Sequence, residues 1–301
     1  MTDSMFGALE SRDRIAITEL RDLERTEVIL ESDRLFAAYA LAQLDPGAYP
    51  HARWWLAEGE QETSLVCHSR AGLGDATFTM GSTEGVAAIL SIQPGQFQTF
   101  ATAKVAHMPA LREAYVLTGA REMCRMHVTE QGFVSEPLEL PAGISTYRLR
   151  GHQVRALNRL YGSEGGLTSY RAHHVDEGCY FGVVEKGRLV AVAGTHSVSP
   201  VSRIAVVGNV FTHPDHRGRG YGTIATHATT QELLRTCDDV VLSVDPENQA
   251  AISAYQKLGY IDVGEIVEAA ARRRAGAVTV GARRLFALLR GRGQRSAIVR
   301  R

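Results

Sequence analysis

Residues 212–222 read Thr-His-Pro-Asp-His-Arg-Gly-Arg-Gly-Tyr-Gly. The apolar run 204–211 precedes them, and a stretch of helical character follows to about residue 236. A glycine-rich turn that opens a helix leaves the first helical amides unpaired, with the positive end of the helix dipole behind them. Such an end attracts phosphate. Gly218, Gly220 and Gly222 would let the backbone approach a diphosphate closely, and Arg217 and Arg219 add charge beside it. The same glycines could serve only to make the turn. No Gly-Lys-Ser/Thr ending is present, which excludes a P-loop, and Thr223 stands where a dinucleotide-binding fingerprint needs its third glycine.

A second constellation lies 26 residues beyond Gly222. Asn248 caps a helical pattern that contains Tyr255 and ends at Leu258-Gly259-Tyr260, with a glycine in the position that favours left-handed backbone. With Arg-x-x-Gly-x-Gly in the first element (Arg217 to Gly222) and Asn-x6-Tyr-x-x-Leu-Gly-Tyr in the second, residues 144–267 resemble the GCN5-related N-acetyltransferase (GNAT) superfamily. Order and spacing agree, as does the antiparallel meander read at 178–184, 189–195 and 204–211. Its first turn, Glu185-Lys186-Gly187-Arg188, has a glycine where positive φ is needed.

The resemblance implies an α/β (α+β) fold with a mixed, mostly antiparallel central sheet flanked by helices, and acetyl-CoA as co-substrate. The implied reaction is direct transfer of the acetyl group to a primary amine. Val210, Phe211 and Thr212 would pair through their backbone with the pantetheine arm. Arg217, Gly218, Arg219, Gly220, Tyr221 and Gly222 would hold the pyrophosphate. Asn248 is implied as a cofactor-side amide, and Tyr255 as the phenol that protonates the departing thiolate. Each has a plainer rival, since Asn248 can be only a helix cap and Tyr255 only a packed aromatic.

No carboxylate lies between Arg203 and Phe211, so the glutamate base that some family members carry there is absent, and Asn209 is the polar side chain nearest the expected thioester. Ordered water, His196 or Glu185 remain as proton acceptors. His213, His216 and His227 lack a ligand-spaced cysteine or second carboxylate, so no metal is expected. His173 and His174 precede the second strand of the domain, where loops of the acceptor site lie in this fold, although adjacent solvated histidines need no function.

The 301 residues carry 33 basic and 33 acidic side chains, so bulk charge gives no reason to seek nucleic acid or a membrane. Ten arginines and no carboxylate follow Ala271, however, which leaves 23 basic and 33 acidic groups in the preceding body. No run approaches the ~20 apolar residues of a bilayer span, and Asp3, Glu10 and Asp13 do not suit a secretory signal. The expected setting is cytoplasmic. Cys67, Cys124, Cys179 and Cys237 are too widely spaced for a metal or disulfide framework.

Three parts follow: an N-terminal α/β domain at 1–140, a catalytic domain at 144–267 and a basic arm at 268–301. The linker lies at 134–143. The N-terminal part is either a degenerate second copy of the same fold, which would make two domains in tandem, or an unrelated α/β domain. In both cases it would wall the acceptor cleft, with Trp54 and Trp55 as candidate wall residues. Within it, 15–44 reads mainly as helix, 64–68 and 77–80 as strands, 84–90 as helix, 97–102 as strand, 110–117 as helix and 125–129 as strand. The arm suggests a strand at 277–280 and a short helix through 285–289. The expected partner is a small-molecule or peptide amine; no nucleic acid is expected, and a homodimer stays open. A CoA-binding sensor or adaptor without turnover is the alternative function.

Overall fold

The computed structural model describes residues 15–59, 62–70, 74–136, 138–166 and 168–274, together with the backbone of 296–299. The first half contains β1 (Ile15–Leu20), α1 (Leu23–Glu31), α2 (Ala38–Leu41), β2 (Ala52–Glu58), β3 (Thr63–Ser69), β4 (Ala76–Met80), α3 (Thr83–Ile92), β5 (Gln98–Ala103), α4 (Met108–Ala114) and β6 (Tyr115–Val128). The second half contains β7 (Ile144–Arg148), α5 (Val154–Tyr161), α6 (Ala172–Glu177), β8 (Phe181–Glu185), β9 (Arg188–Ser199), β10 (Ile204–Thr212), α7 (Tyr221–Leu233), β11 (Asp239–Val244), α8 (Gln249–Lys257) and β12 (Ile261–Arg273). Element for element, one series repeats the other. A final strand, β13 (Ser296–Val299), pairs antiparallel with β1.

Among the described residues all the strands join in one sheet, in the order β13-β1-β2-β3-β4-β5-β12-β6-β11-β10-β9-β8-β7. Pairing is antiparallel except for β4 with β5 and β10 with β11. The mixed, mostly antiparallel sheet flanked by helices is thus as expected. The two halves also exchange strands. β6, from the first half, lies between β11 and β12, while β12 reaches across to pair with β5 along Val267–Arg272. Hydrogen bonding therefore does not stop at the expected linker.

Three local expectations need correction. Residues 15–44 are helical only in part and open as a strand. The β-branched residues of Ile-Ala-Ile-Thr form β1, and helix begins only after Asp22, whose side chain accepts a hydrogen bond from the Arg25 amide. The basic arm does not begin at 268, because Ala269 and Ala271 are buried within β12. Alanine's helical preference yields there to hydrogen bonding along both strand edges. The strand and helix suggested at 277–280 and 285–289 lie outside the described residues. Third, Trp54 is a core residue, and Trp55 packs on the opposite face of β2, so neither walls a cleft at the seam between the halves.

The packing nevertheless crosses that seam. Leu30, Phe36 and Leu41 on and between α1 and α2 share one apolar cluster with Val206 of β10 and Val241 of β11. On the other face, Val207, Leu242 and Val244 pack with Leu233 of α7 and Tyr255 and Leu258 on and just after α8. Arg34 ties the seam further, with Nε donating to Asp239 at 2.7 Å and Nη2 to the Ser202 carbonyl at 2.5 Å.

Candidate active site

The site grows from a fork in the sheet. β10 and β11 pair from Ile204↔Asp239 to Val207↔Leu242 and no further, although both strands continue. Over the same stretch β10 slips register against β9 between Gly208 and Phe211, and Asn209 takes a positive φ of 55°. Such a bulge bends the strand and re-aims its backbone. Asn209 is held by three tyrosines and a threonine. Its carbonyl accepts from the Tyr161 hydroxyl at 2.6 Å and its Oδ1 from the Tyr170 hydroxyl at 2.7 Å. Its Nδ2 donates to the Tyr180 hydroxyl and the Thr195 carbonyl, each at 3.1 Å. This polar side chain is therefore committed to fixing the bulge.

From the fork a groove of about 710 Å³ runs between β10, the start of α7 and α8. Val210, Phe211, Thr212, Arg217, Gly218, Gly220, Tyr221, Gly222, Asn248 and Tyr255 all line it. Of the residues expected to hold the cofactor only Arg219 is not among the lining; its guanidinium turns toward Glu185 at 3.4 Å. At the open end the chain passes through Gly218 (φ 75°) and Gly220 (φ 76°) into α7. A Cβ at either glycine would meet nothing within 4 Å, so the requirement for glycine comes from the backbone angle, and the space above stays free. Gly220 gives no side-chain cap to α7, and the first amide of this end to find a main-chain partner is that of Ile224. The preceding amides are left for a ligand, in a geometry suited to a diphosphate.

Several side chains differ from expectation in detail. Tyr221 is buried in the core, so only its backbone can serve the groove. Arg217 folds over Phe211, its Nε donating to the Thr212 carbonyl at 3.3 Å and its Nη2 to Glu164. Asn248 caps α8 by accepting from the Ala251 amide at 3.1 Å, and it lines the groove as well, so the two readings coexist. Tyr255 packs beside Tyr260 with ring centroids 6.0 Å apart, and burial pushes its phenol up to about 12.

The histidines take different partners, although the His213 and His216 rings lie 5.5 Å apart. His216 Nδ1 lies 2.7 Å from Glu185, His213 Nδ1 accepts from the Asp215 amide at 3.3 Å, and His227 Nε2 faces the Val134 carbonyl at 3.1 Å. Among the described residues no group of three or more His, Cys, Asp or Glu side chains is placed to hold a metal. His196 stands at the fork itself, where a Cβ on Gly208 would come within 2.1 Å of its ring. It is open to water yet walled by protein, and that burial, with Arg125 nearby, pulls it down to about 4.

Sequence reasoning missed a polar group on the face of the sheet opposite the groove. Tyr39 of α2 donates to Glu268 of β12 at 3.2 Å. Arg125 of β6 lies 5.1 Å from the Tyr39 ring and donates to Ser243 of β11 at 3.1 Å. Neither Tyr39 nor Arg125 belongs to the stretch carrying the motifs, and no local pattern marks them; Glu268 was assigned to the arm.

Comparison with known proteins follows the same lines. Residues 148–260 match the model of the Acetyltransferase (GNAT) family. No curated protein matches the chain. Among solved structures, a GCN5-related N-acetyltransferase from Kribbella flavida is 16% identical with a TM-score of 0.57, covering 81% of this chain and 96% of its own. A Drosophila protein is 14% identical with a TM-score of 0.63, covering 85% and 98%. A tandem GNAT protein from the clavulanic acid biosynthesis pathway is 13% identical with a TM-score of 0.52, again covering 86% and 98%. These likenesses are of fold, and they extend through both halves. Residues 148–260 are accordingly a domain of the acetyltransferase (GNAT) family, set within a chain that has that fold along most of its length.

Proposed function

We propose that the chain is an acyl-CoA-dependent N-acetyltransferase that transfers acetyl from acetyl-CoA directly to a primary amine. The observation that carries this reading is the single groove uniting the β10 edge, the uncapped start of α7, Asn248 and Tyr255. Its volume lies within the usual range for ligand sites, roughly 300–1,000 Å³. Backbone amides and glycines at 218–222 would hold the pyrophosphate, and the β10 edge at 210–212, unpaired toward β11, would take the pantetheine arm as an added strand. When bound, acetyl-CoA supplies an acyl group already activated as a thioester. Tyr255 lines the groove with its phenol protonated at physiological pH, as any tyrosine is, and can donate that proton to the sulfur as the C–S bond breaks. Acetyl-CoA availability makes the cytoplasm the expected compartment, and no metal is called for. Among the described residues no helix is long and apolar enough to cross a membrane.

The test is calorimetric titration with acetyl-CoA, followed by thiol-release assays on a panel of primary amines. Saturable binding with amine-dependent thiol release supports the transferase. Binding without turnover on any amine would move the assignment to a CoA-binding sensor or adaptor, and no binding would remove both.

A further inference from the structure

The fork in the sheet has two faces, and the groove uses one of them. On the other, α2 from the first half lies against β10 and β9. Ser243 is the residue just past the last rung between these strands, and Gly208 is its counterpart on β10. Around this point Glu268 accepts from the Tyr39 hydroxyl at 3.2 Å, and Arg125 is bound to Ser243 at 3.1 Å. The His196 ring stands 6.0 Å from that of Tyr39. Arg125 is fully buried, with no partner for its Nε, and so acts as fixed internal charge rather than as a surface group. Glu268 stays partly open to solvent. Arg121, at the rim on the same side of β6, is paired with Asp245 at 3.3 Å.

We infer that this face is the amine-acceptor site, built jointly by the two halves, and that Glu268 binds the acceptor's amino group and takes its proton. The inference rests on the function proposed above. Glu268 takes a proton from the bound ammonium, which frees the electron pair on nitrogen. That pair forms the C–N bond, the C–S electron pair leaves with sulfur, which takes the Tyr255 proton from the opposite face, and the second N–H proton of the adduct passes to solvent. The Tyr39 hydroxyl holds the carboxylate, and burial raises its proton affinity above that of an ordinary glutamate, against the opposing charge of Arg125. This assigns the base that β10 lacks.

The site also restricts the acceptor. His196 opens onto a pocket of about 540 Å³ between residues 42–48 of the first half and α6 and β9 of the second. Asp45 and Glu177 are among its lining residues, and no lysine or arginine is. The acceptor class that fits is a small aliphatic di- or polyamine without a carboxylate.

The experiment uses the full chain. Wild-type, Glu268→Gln and Tyr39→Phe proteins are assayed with spermidine, cadaverine and glycine, and each is titrated calorimetrically with acetyl-CoA. The CoA complex of each is also titrated with cadaverine, a non-reacting pair. We expect wild-type turnover with spermidine or cadaverine and not with glycine. Glu268→Gln should lose about 100-fold or more in kcat/KM and bind cadaverine about tenfold more weakly in the CoA complex, with acetyl-CoA affinity unchanged. Tyr39→Phe, which removes only the supporting hydroxyl, should lose less in both. Unchanged turnover and cadaverine affinity in Glu268→Gln would overturn the role of that residue, and a preference for glycine would overturn the acceptor class. Either could fail while acetyl-CoA binding holds, whereas no acetyl-CoA binding by the wild type would sink the underlying function instead.

Discussion

The two halves repeat the same series of elements, yet at matching places they build opposite things. In the second half the strand-to-helix turn from β10 to α7 takes eight residues, including Gly218 and Gly220, and leaves the helix start uncapped. In the first half the turn from β4 to α3 is only Gly81-Ser82. There Ser82 caps α3 by accepting from the Gly85 amide at 3.1 Å, and the Ser64 hydroxyl accepts from the Ser82 amide at 2.9 Å. A Cβ at Gly81 would meet the Thr63 carbonyl at 2.3 Å, so backbone already fills that space. The seventh residue of the next helix is Tyr255 in one half and Ala114 in the other. One helix end is kept open for a ligand, and the other is satisfied internally. A fold can thus be duplicated without duplicating its site.

The largest effect should come from breaking the pair itself. Because β6 and β12 are exchanged between the halves, residues 1–142 and 143–301 expressed separately should each fail to give a monodisperse, cooperatively folded protein by size exclusion and circular dichroism. Co-expression should restore a complex with the thermal transition of the intact chain. Two independently stable halves would mean that the exchanged strands are dispensable, and the comparison would reduce to two ordinary domains joined by a linker.

Next in size is Gly220→Val. A β-branched residue at φ 76° carries strain of about 1–3 kcal/mol, and the amides that open α7 would be displaced. Acetyl-CoA affinity should fall by about 100-fold, a loss of roughly 2.7 kcal/mol, when titrated calorimetrically. A variant that binds as tightly as wild type would show that the turn is not the anion site.

These contrasts explain what could be read from the residues alone. The open turn was legible because glycine at positive φ and arginine beside it are local chemistry, and Asn248 with Tyr255 repeats at helical spacing. The meander was legible because its strands are apolar runs, the first two joined by a tight turn in which Lys186 and Gly187 both adopt positive φ. The outer ends of the two halves were harder to read. Alanine-rich β12 and the start of β1 look helical or tail-like until distant strands pair with them, and a partner strand more than 100 residues away leaves no local signal. The face bearing Tyr39, Arg125 and Glu268 was hidden for the same reason. Its three members are brought together only by strand exchange.

Tyr255→Phe sharpens the comparison at the reacting end. Removing the phenolic proton should lower kcat by about 100-fold and leave acetyl-CoA affinity within a factor of two or so, since the ring still packs against Tyr260. Burial raises this phenol to about 12, so the protonated form persists as pH rises. No alkaline loss of kcat below that pH should therefore be traceable to Tyr255, and a limb near pH 9 that vanishes in the Phe variant would contradict a dry environment for this group.

The smallest effect tests the closed half. Ser82→Ala removes the cap of α3, and a lost cap costs about 1 kcal/mol, so a modest drop in thermal midpoint is expected. Acetyl-CoA affinity should not move, because the freed amides face Ser64 and main chain that already fill the turn. Were the same substitution to create a second acetyl-CoA site, the closed turn would be a plugged version of the open one, held shut by a single hydroxyl. The 2.3 Å approach of the Thr63 carbonyl to a Cβ at Gly81 argues against that outcome, because removing a side chain does not move a backbone. The closed state of the first half would then lie in the length of the turn, which no point substitution changes.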